Sequence, residues 1–175
     1  MANREALRQL QSRLAERLQV ARTEARQLSW LAVECAGHGL LMPLATAGEI
    51  FPAGGLLAVP HTQPWFLGVA NLRGGLHGVV DLGAFLGLRA PLARDVLREQ
   101  ARLLAFNPQL GSHSAVLVDR LAGLRSAAQL TAELADDSVR PVFASKIWRD
   151  VENRRWQEID LAALSRHEQF LAIAA

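Results

Sequence analysis

The sequence contains a single cysteine among its 175 residues, so it cannot form an internal disulfide. We expect that residue, Cys35, to be a small buried apolar side chain. No apolar run approaches the roughly 18 residues of a membrane-spanning helix, and the arginine-rich start lacks the pattern of a signal peptide. Half of the residues are hydrophobic, which excludes wholesale disorder. These features predict a cytoplasmic globular protein with no segment inserted in a membrane.

Recognisable catalytic and metal-binding patterns are also missing. No serine lies in a G-x-S-x-G sequence, and Gly74-Gly75 lacks the Lys-Ser or Lys-Thr that a phosphate-binding loop requires. The histidines show neither i, i+4 spacing nor a neighbouring cysteine cluster, and they are His38, His61, His77, His113 and His167. The sequence therefore predicts no catalytic residues, no metal site and no cofactor.

Positive charge is concentrated at the start of the chain. The formal net charge is only +2, but residues 1–28 carry six arginines against three glutamates. The remaining residues carry 13 basic and 14 acidic side chains and are slightly acidic. A whole-chain charge this small does not require a nucleic-acid partner.

The same arm has helical periodicity. Leucine and alanine recur at spacings of three and four, which predicts one apolar stripe on a helix of about seven turns. The stripe consists of Leu7, Leu10, Leu14, Leu18, Ala21, Ala25 and Leu28. It requires a partner surface, either on its own domain or on another protein or second copy. A membrane surface is disfavoured, because the stripe has alanines where an interfacial anchor would have Trp or Phe.

The stretch from residue 56 to residue 88 carries the clearest turn signals. Residues 69–73 and 76–82 are apolar runs around Gly74-Gly75, which predicts a β-hairpin with positive φ at its turn. Pro64 followed by three bulky apolar residues predicts a single helical turn ended by Gly68. Asp81 is expected to cap a short helix that stops at Gly87.

The rest of the chain predicts further strands and one more helix. Strands are expected at 30–33, 40–44, 49–52, 101–106, 115–118, 142–144 and 156–159, with a hairpin turn at Gly37-His38-Gly39. Residues 131–140 are expected to form a polar loop or weak helix, 149–155 a charged loop and 161–171 a helix. Asp160-Leu161 after the last strand repeats the pattern of Asp81-Leu82. Two strand sets that each end in a capped helix predict two small barrels.

One motif resembles a known family. The sequence Gly68-Val69-Ala70-Asn71-Leu72-Arg73-Gly74, followed by Val79-Val80-Asp81-Leu82, resembles the signature of the CheW-like adaptors of bacterial chemosensory arrays. This resemblance covers about residues 29–172, and Gly-Val-Val-Asp with a long N-terminal helix is similar to the PilI subgroup of type IV pilus systems. It implies a mainly β fold of two intertwined five-stranded SH3-like barrels with short capping helices, here preceded by an N-terminal α-helix. The implied domains are a helical extension at 1–28 and a CheW-like domain at 29–175.

The resemblance also implies a function. CheW-like proteins are non-enzymatic adaptors that join the cytoplasmic tip of a chemoreceptor to the regulatory domain of a CheA-type histidine kinase. The protein-binding residues that carry over are Glu49, Ile50, Asn71, Leu72, Arg73 and Gly74. Glu49 and Arg73 are expected to lie near each other.

The alternative function is a nucleic-acid-binding small barrel with a basic arm. Trp65, Trp148 and Trp156 are the residues that would stack on bases. The apolar neighbours of Trp65 and the slightly acidic body of the chain favour a core position and no nucleic acid.

Overall fold

A computed structural model of the chain describes residues 29–92, 99–133, 140–144 and 146–175. This part of the chain is mainly β, and none of its helices is long and apolar enough to cross a membrane. The strands are β1 (Ser29–Cys35), β2 (His38–Pro43), β3 (Ala47–Pro52), β4 (Phe66–Leu72), β5 (Gly75–Asp81), β6 (Arg102–Phe106), β7 (Ser114–Val118), β8 (Arg120–Ser126), β9 (Leu130–Ala132), β10 (Ile147–Asp150) and β11 (Arg155–Glu158). The α-helices are α1 (Leu82–Phe85), α2 (Leu161–Leu164) and α3 (Glu168–Leu171), and 3₁₀ helices span Pro108–Leu110, Ala127–Gln129 and Val142–Ala144. The predicted helix at 1–28 lies outside the described residues.

The strands form two sheets. The first sheet has the order β8-β1-β2-β11-β10-β9, and the second has the order β3-β6-β7-β5-β4. Strands β1 and β2 precede the whole second sheet in the chain, whereas β8 to β11 follow it. The two sheets are therefore intertwined, as the resemblance implies. The first sheet has one strand more than the five implied, because the three-residue strand β9 extends its edge.

Buried side chains alternate between distinct apolar clusters. On β7, Val116 and Val118 belong to a core shared by both sheets, whereas Ala115 and Leu117 belong to the interior of the second sheet. A further cluster, which contains the fully buried Trp156, fills the interior of the first sheet. Because successive residues of a strand point to opposite faces, a strand buried on both faces needs an uninterrupted apolar sequence. The apolar runs at 101–106 and 115–118 predicted β6 and β7 correctly for this reason.

Both predicted aspartate caps are confirmed. Asp81 accepts a hydrogen bond from the backbone N–H of Ala84 at 3.2 Å. Asp160 accepts hydrogen bonds from the backbone N–H groups of Ala162 and Ala163, at 2.9 and 3.1 Å. The helices that they cap are short, and the helix predicted over 161–171 consists of the two separate helices α2 and α3.

The turn predicted over residues 64–67 is shorter than expected: the carbonyl of Gln63 accepts a hydrogen bond from the N–H of Phe66 at 2.9 Å across Pro64 and Trp65, and β4 begins at Phe66. Gly68 has a φ of 128° at an irregularity in the pairing of β4 with β5, and a Cβ there would lie 2.1 Å from the carbonyl oxygen of Leu57. Leu57 and Val69 exchange two backbone hydrogen bonds of 2.8 and 2.9 Å at this point. Two backbones approach closely here, and only glycine fits between them.

Other corrections concern the second half of the chain. Residues 142–144 form a 3₁₀ turn rather than a strand, because the carbonyl of Pro141 accepts a hydrogen bond from the N–H of Ala144 at 2.8 Å. The predicted loop at 149–155 is a hairpin, since Arg149 pairs with Arg155 across β10 and β11. Residues 131–132 belong to β9, and residues 134–139 lie outside the described chain.

Strand β8 was not predicted. It is an edge strand with mostly exposed side chains, and Gly123 interrupts it with a φ of 92°. Its pairing with β1 shifts register between Ala32 and Val33. An exposed, bulged edge strand lacks the apolar alternation by which a strand is recognised in a sequence.

Candidate protein-interaction surface

The β4–β5 hairpin displays Arg73 at its tip. The turn is formed by Arg73 and Gly74, with φ values of 51° and 83°, one residue earlier than the predicted Gly74-Gly75. Gly75 instead pairs with Leu72 as the last residues of the strands. Positive φ at both central residues is the type I′ geometry, whose twist matches that of the strands. The side chain of Asn71 supports the turn by accepting a hydrogen bond from the N–H of Gly74 at 2.8 Å.

Arg73 forms an ion pair across the two edges of the second sheet. Its Nε lies 2.8 Å from Oε2 of Glu49, which confirms the expected proximity of the two residues. Glu49 is on β3 and the hairpin ends β4, and these strands are the opposite edges of the sheet. The sheet is therefore curled so that its edges meet. The side chains are 76% and 53% exposed, so the pair adds only about 0–1 kcal/mol to stability and remains accessible to a partner.

Exposed apolar side chains surround the hairpin. Leu57 is 67% exposed and Leu76 is 62% exposed. They lie opposite Val69 and Asn71, which are two residues apart on β4, so both leucines are on the same face. Exposed large apolar side chains on the same sheet element as an exposed arginine are typical of protein interfaces. The sequence reasoning missed these leucines, because both lie in apolar stretches that resemble core.

The predicted site residues divide into exposed and buried positions. Glu49, Asn71, Arg73 and Gly74 are exposed, and Ile50 is 40% exposed beside Glu49 on β3. We call Glu49, Ile50, Leu57, Arg73 and Leu76, with the supporting Asn71-Gly74 turn, the hairpin surface. Leu72 is different, because it is only 7% exposed and belongs to the interior of the second sheet. Its side chain holds the hairpin and is not available to a partner.

A buried ion-pair network anchors the other end of this hairpin. The fully buried Asp81 pairs with Arg89, which also pairs with Asp119. Asp81 accepts a further hydrogen bond from the N–H of Leu92 at 3.2 Å, and Asp119 accepts one from the N–H of Ala36 at 2.7 Å. Burial opposes the charge of Arg89, but hydrogen bonds to Asp119 and Asp81 outweigh it and raise the pKa of the guanidinium. Asp81 therefore both caps α1 and holds a buried ion pair with Arg89. No residue spacing in the sequence indicated that Arg89 is its partner.

In the first sheet, Glu34 is a second carboxylate held by arginine side chains. Burial alone would raise the pKa of Glu34, but hydrogen bonds from Arg154 and Arg120 lower it below its ordinary value of 4.5. Beside it, burial raises the pKa of the Cys35 thiol to about 12, so the thiol stays protonated and is not a nucleophile. This confirms Cys35 as a buried apolar residue.

The tryptophans are not arranged to stack on bases. Trp65 is 8% exposed, and Trp156 is fully buried with its Nε1 donating to Asp150 at 2.9 Å. Trp148 is partly buried and donates to Oε2 of Glu158 at 2.7 Å. A nucleic-acid platform needs exposed aromatic faces along a cationic groove, and these residues do not provide one.

Comparison with known proteins agrees with this architecture. A model of the CheW-like domain family matches residues 29–169. Protein PilI from Pseudomonas aeruginosa is 26% identical over 166 residues, which cover 93% of this chain and 89% of PilI. The crystal structure of scaffolding protein TtCheW from Thermoanaerobacter tengcongensis matches with a TM-score of 0.61 at 15% identity, over 76% of this chain and 88% of TtCheW, which shows a common fold. The match to the family model spans most of the sequence, and the chain therefore belongs to the CheW-like domain family.

Proposed function

We propose that the protein is a non-enzymatic adaptor that joins the cytoplasmic tip of a chemoreceptor to the regulatory domain of a CheA-type histidine kinase. Membership of the CheW-like family supports an adaptor role in chemosensory signalling. The similarity to Protein PilI over nearly the whole chain supports a type IV pilus system, and thus twitching motility, as the pathway. The protein would act in the cytoplasm at membrane-bound receptor arrays. Residues 29–175 would form the adaptor domain, with residues 1–28 as a helical extension.

The hairpin surface is the observation that carries this proposal. An exposed arginine is paired with Glu49, and the exposed Leu76 and Leu57 lie further along the same hairpin, opposite Asn71 and Val69. Arginine is enriched among the few residues that dominate binding energy, and its side chain here needs little further ordering to bind. The surrounding leucines offer apolar area that would be buried by a partner.

The proposed mechanism is coupling by simultaneous binding. No bond is made or broken, and the hairpin surface engages one of the two partners. If the adaptor binds one state of the kinase more tightly than another, receptor binding shifts the kinase between these states by the difference in affinity. The size of the effect is limited by that difference and is reciprocal between the two partners.

A charge reversal tests the proposal. Binding of the full chain to a purified receptor tip and to a kinase regulatory domain is measured by titration calorimetry. We expect Arg73→Glu to weaken binding to at least one of them by more than about tenfold, which corresponds to about 1.4 kcal/mol. Arg166→Glu is the matched control, because Arg166 is also exposed and lies outside the hairpin surface, between α2 and α3.

The double variant Glu49→Arg/Arg73→Glu separates contact from geometry. It allows the ion pair to form in the reverse direction, so it would rescue binding only if the pair serves to shape the hairpin. Continued loss of binding would mean that Arg73, Glu49 or both contact the partner directly. Unchanged binding of Arg73→Glu to both partners, or salt-dependent binding of oligonucleotides in their place, would refute the proposed function.

A further inference from the structure

A cleft of about 460 Å³ lies between the β1–β2 turn, the loop after α1, the segment before β10 and strand β11. Its apolar lining consists of Leu40, Leu86, Leu88, Ala144, Ile147 and Ile159. Leu40 and Ile159 are 2% and 0% exposed, so they form the floor. None of the described residues that line the cleft belongs to the hairpin surface. A cleft of this size with a mainly apolar lining is typical of a binding site.

The exposed part of the lining is cationic. Arg140, Arg154 and Arg155 line the cleft, and the described residues around it include no Asp or Glu. The side chains of Arg154 and Arg155 are 38% and 49% exposed, so they are open to solvent at its mouth. An apolar floor below arginines favours a ligand that carries an apolar group beside carboxylates.

Two carboxylates near the cleft are each shared by two arginines. These are Glu34, with Arg120 and Arg154, and Glu133, with Arg149 and Arg155. One carboxylate balances the charge of only one arginine, so each of these groups stays positive. Arg154 is also held over the ring of Trp156, 4.5 Å from its centre. Its guanidinium is therefore ordered before a ligand binds, which lowers the entropic cost of binding.

The segment before β10 is fastened to β11. The side-chain amide of Gln157 donates hydrogen bonds to the carbonyls of Ala144 and Lys146, both at 2.7 Å. The backbone N–H of Asp160 donates to the carbonyl of Phe143 at 2.8 Å. These contacts hold the wall of the cleft in the free protein, so a ligand does not have to open it.

We propose that the cleft binds an acidic peptide segment of a partner protein, with one large apolar side chain on the floor and flanking carboxylates paired with Arg154 and Arg155. Clusters of arginines commonly recognise acidic motifs, and an apolar anchor in a pocket supplies much of the binding energy. A nucleic acid fits less well, because the described lining offers its bases no Trp, Tyr or Phe ring. The cleft was not predicted from the sequence, because its lining comes from four separate stretches between residues 37 and 159. This binding does not depend on the proposed adaptor function.

The test is fluorescence anisotropy of the labelled peptide Glu-Glu-Leu-Phe-Glu-Glu with the full chain at about 0.15 M salt. We expect saturable binding of one peptide per chain. Two control peptides replace the glutamates by glutamine or the Leu-Phe pair by serine, and each should bind at least about tenfold more weakly, because each lacks one half of the recognised pattern. Absence of saturable binding, or equal binding of the control peptides, would overturn the proposal.

Arg155→Gln tests whether the peptide lies in the cleft, and Arg149→Gln is its matched control. Each variant leaves Glu133 with one arginine, but only Arg155 lines the cleft. We expect Arg155→Gln to weaken peptide binding at least about fivefold and Arg149→Gln to change it by less than about twofold. Melting temperatures without peptide check that both variants remain folded. Equal affinities of the two variants would refute binding at the cleft.

Two further variants distinguish other modes of binding. Arg73→Glu should bind the peptide as the natural protein does, and a loss would place the peptide on the hairpin surface instead. Asp136 and Asp137 precede Arg140 in the chain and are themselves acidic. Asp136→Asn/Asp137→Asn should keep the peptide affinity within about threefold. Tighter binding than this would make residues 134–139 of the same chain the occupant of the cleft and would overturn the proposal.

Discussion

Removal of the Asp81 carboxylate is expected to destabilise the fold well beyond the loss of a helix cap. The cap alone is worth about 1 kcal/mol. Asp81 is fully buried and also pairs with Arg89, whose side chain is only 16% exposed. Breaking a buried pair by removing one partner costs about 3–5 kcal/mol, but Arg89 keeps Asp119, so the lower part of that range applies. We therefore expect Asp81→Ala to lower the free energy of unfolding by about 3 kcal/mol or more.

The assay is thermal and urea unfolding of the variant beside Asp160→Ala. Asp160 caps α2 through two amide hydrogen bonds, and no ion pair of its carboxylate is found in the described part of the chain. Its loss should cost only about 1 kcal/mol. At about 2–4 °C per kcal/mol, Asp81→Ala should melt about 6–12 °C lower than the natural protein. Equal losses in the two variants would refute the role of the buried network, and loss of partner binding by stably folded Asp81→Ala would place the aspartate in an interface.

Other substitutions probe separate parts of the molecule. Gly68→Ala should abolish cooperative unfolding or lower the melting temperature by several degrees, because its Cβ would collide with the carbonyl oxygen of Leu57. An unchanged melting curve would contradict this prediction. Glu34 has a lowered pKa in the folded state, so its contribution to stability is present above pH 4.5 and is lost as the pH falls through that lowered pKa. Glu34→Gln should therefore make the free energy of unfolding less dependent on pH in this range. An unaltered pH dependence would show that Glu34 is not responsible. Arg73→Glu should change the free energy of unfolding by only about 0.5 kcal/mol, and a larger loss would make Arg73 structural. Deletion of residues 1–28 should leave a cooperatively folded domain that binds receptor and kinase more weakly in a ternary complex. A product without a cooperative unfolding transition would show that residues 1–28 belong to the core. A ternary complex of unchanged affinity would show that they have no role in assembly.

Elements buried on both faces were predictable from the sequence, and elements defined by distant contacts were not. The runs at 101–106 and 115–118 are apolar throughout because they separate two clusters of the core. The turn predicted at 64–67 forms at Pro64 but extends no further than Trp65, because the pairing of β4 with β5 begins at Phe66. Residues 142–144 are as apolar as a buried strand, yet they form a 3₁₀ turn, because the N–H of Ala144 donates a hydrogen bond to the carbonyl of Pro141.

The residues of the candidate site were also predicted only in part. The proximity of Glu49 and Arg73 followed from the family resemblance and is confirmed by their ion pair. Leu72 belongs to the same short motif but is buried, because alternate residues of a strand face opposite sides. The role of Arg89 could not be predicted, because nothing in its local sequence distinguishes it from the other arginines. Its importance comes from Asp119, thirty residues further along the chain.

The buried network of Asp81, Arg89 and Asp119 connects the base of the hairpin to the first sheet. Asp81 ends β5, which leads directly from the Arg73 turn, whereas Asp119 lies between β7 of the second sheet and β8 of the first. Arg89 binds both carboxylates, and Asp119 also holds the Ala36 amide in the β1–β2 turn. Breaking any of these contacts leaves a buried charge or amide unpaired, so a hinge at this junction is energetically unfavourable. A partner that displaced the hairpin surface would therefore act on the first sheet through a stiff connection, as the proposed coupling by simultaneous binding would require.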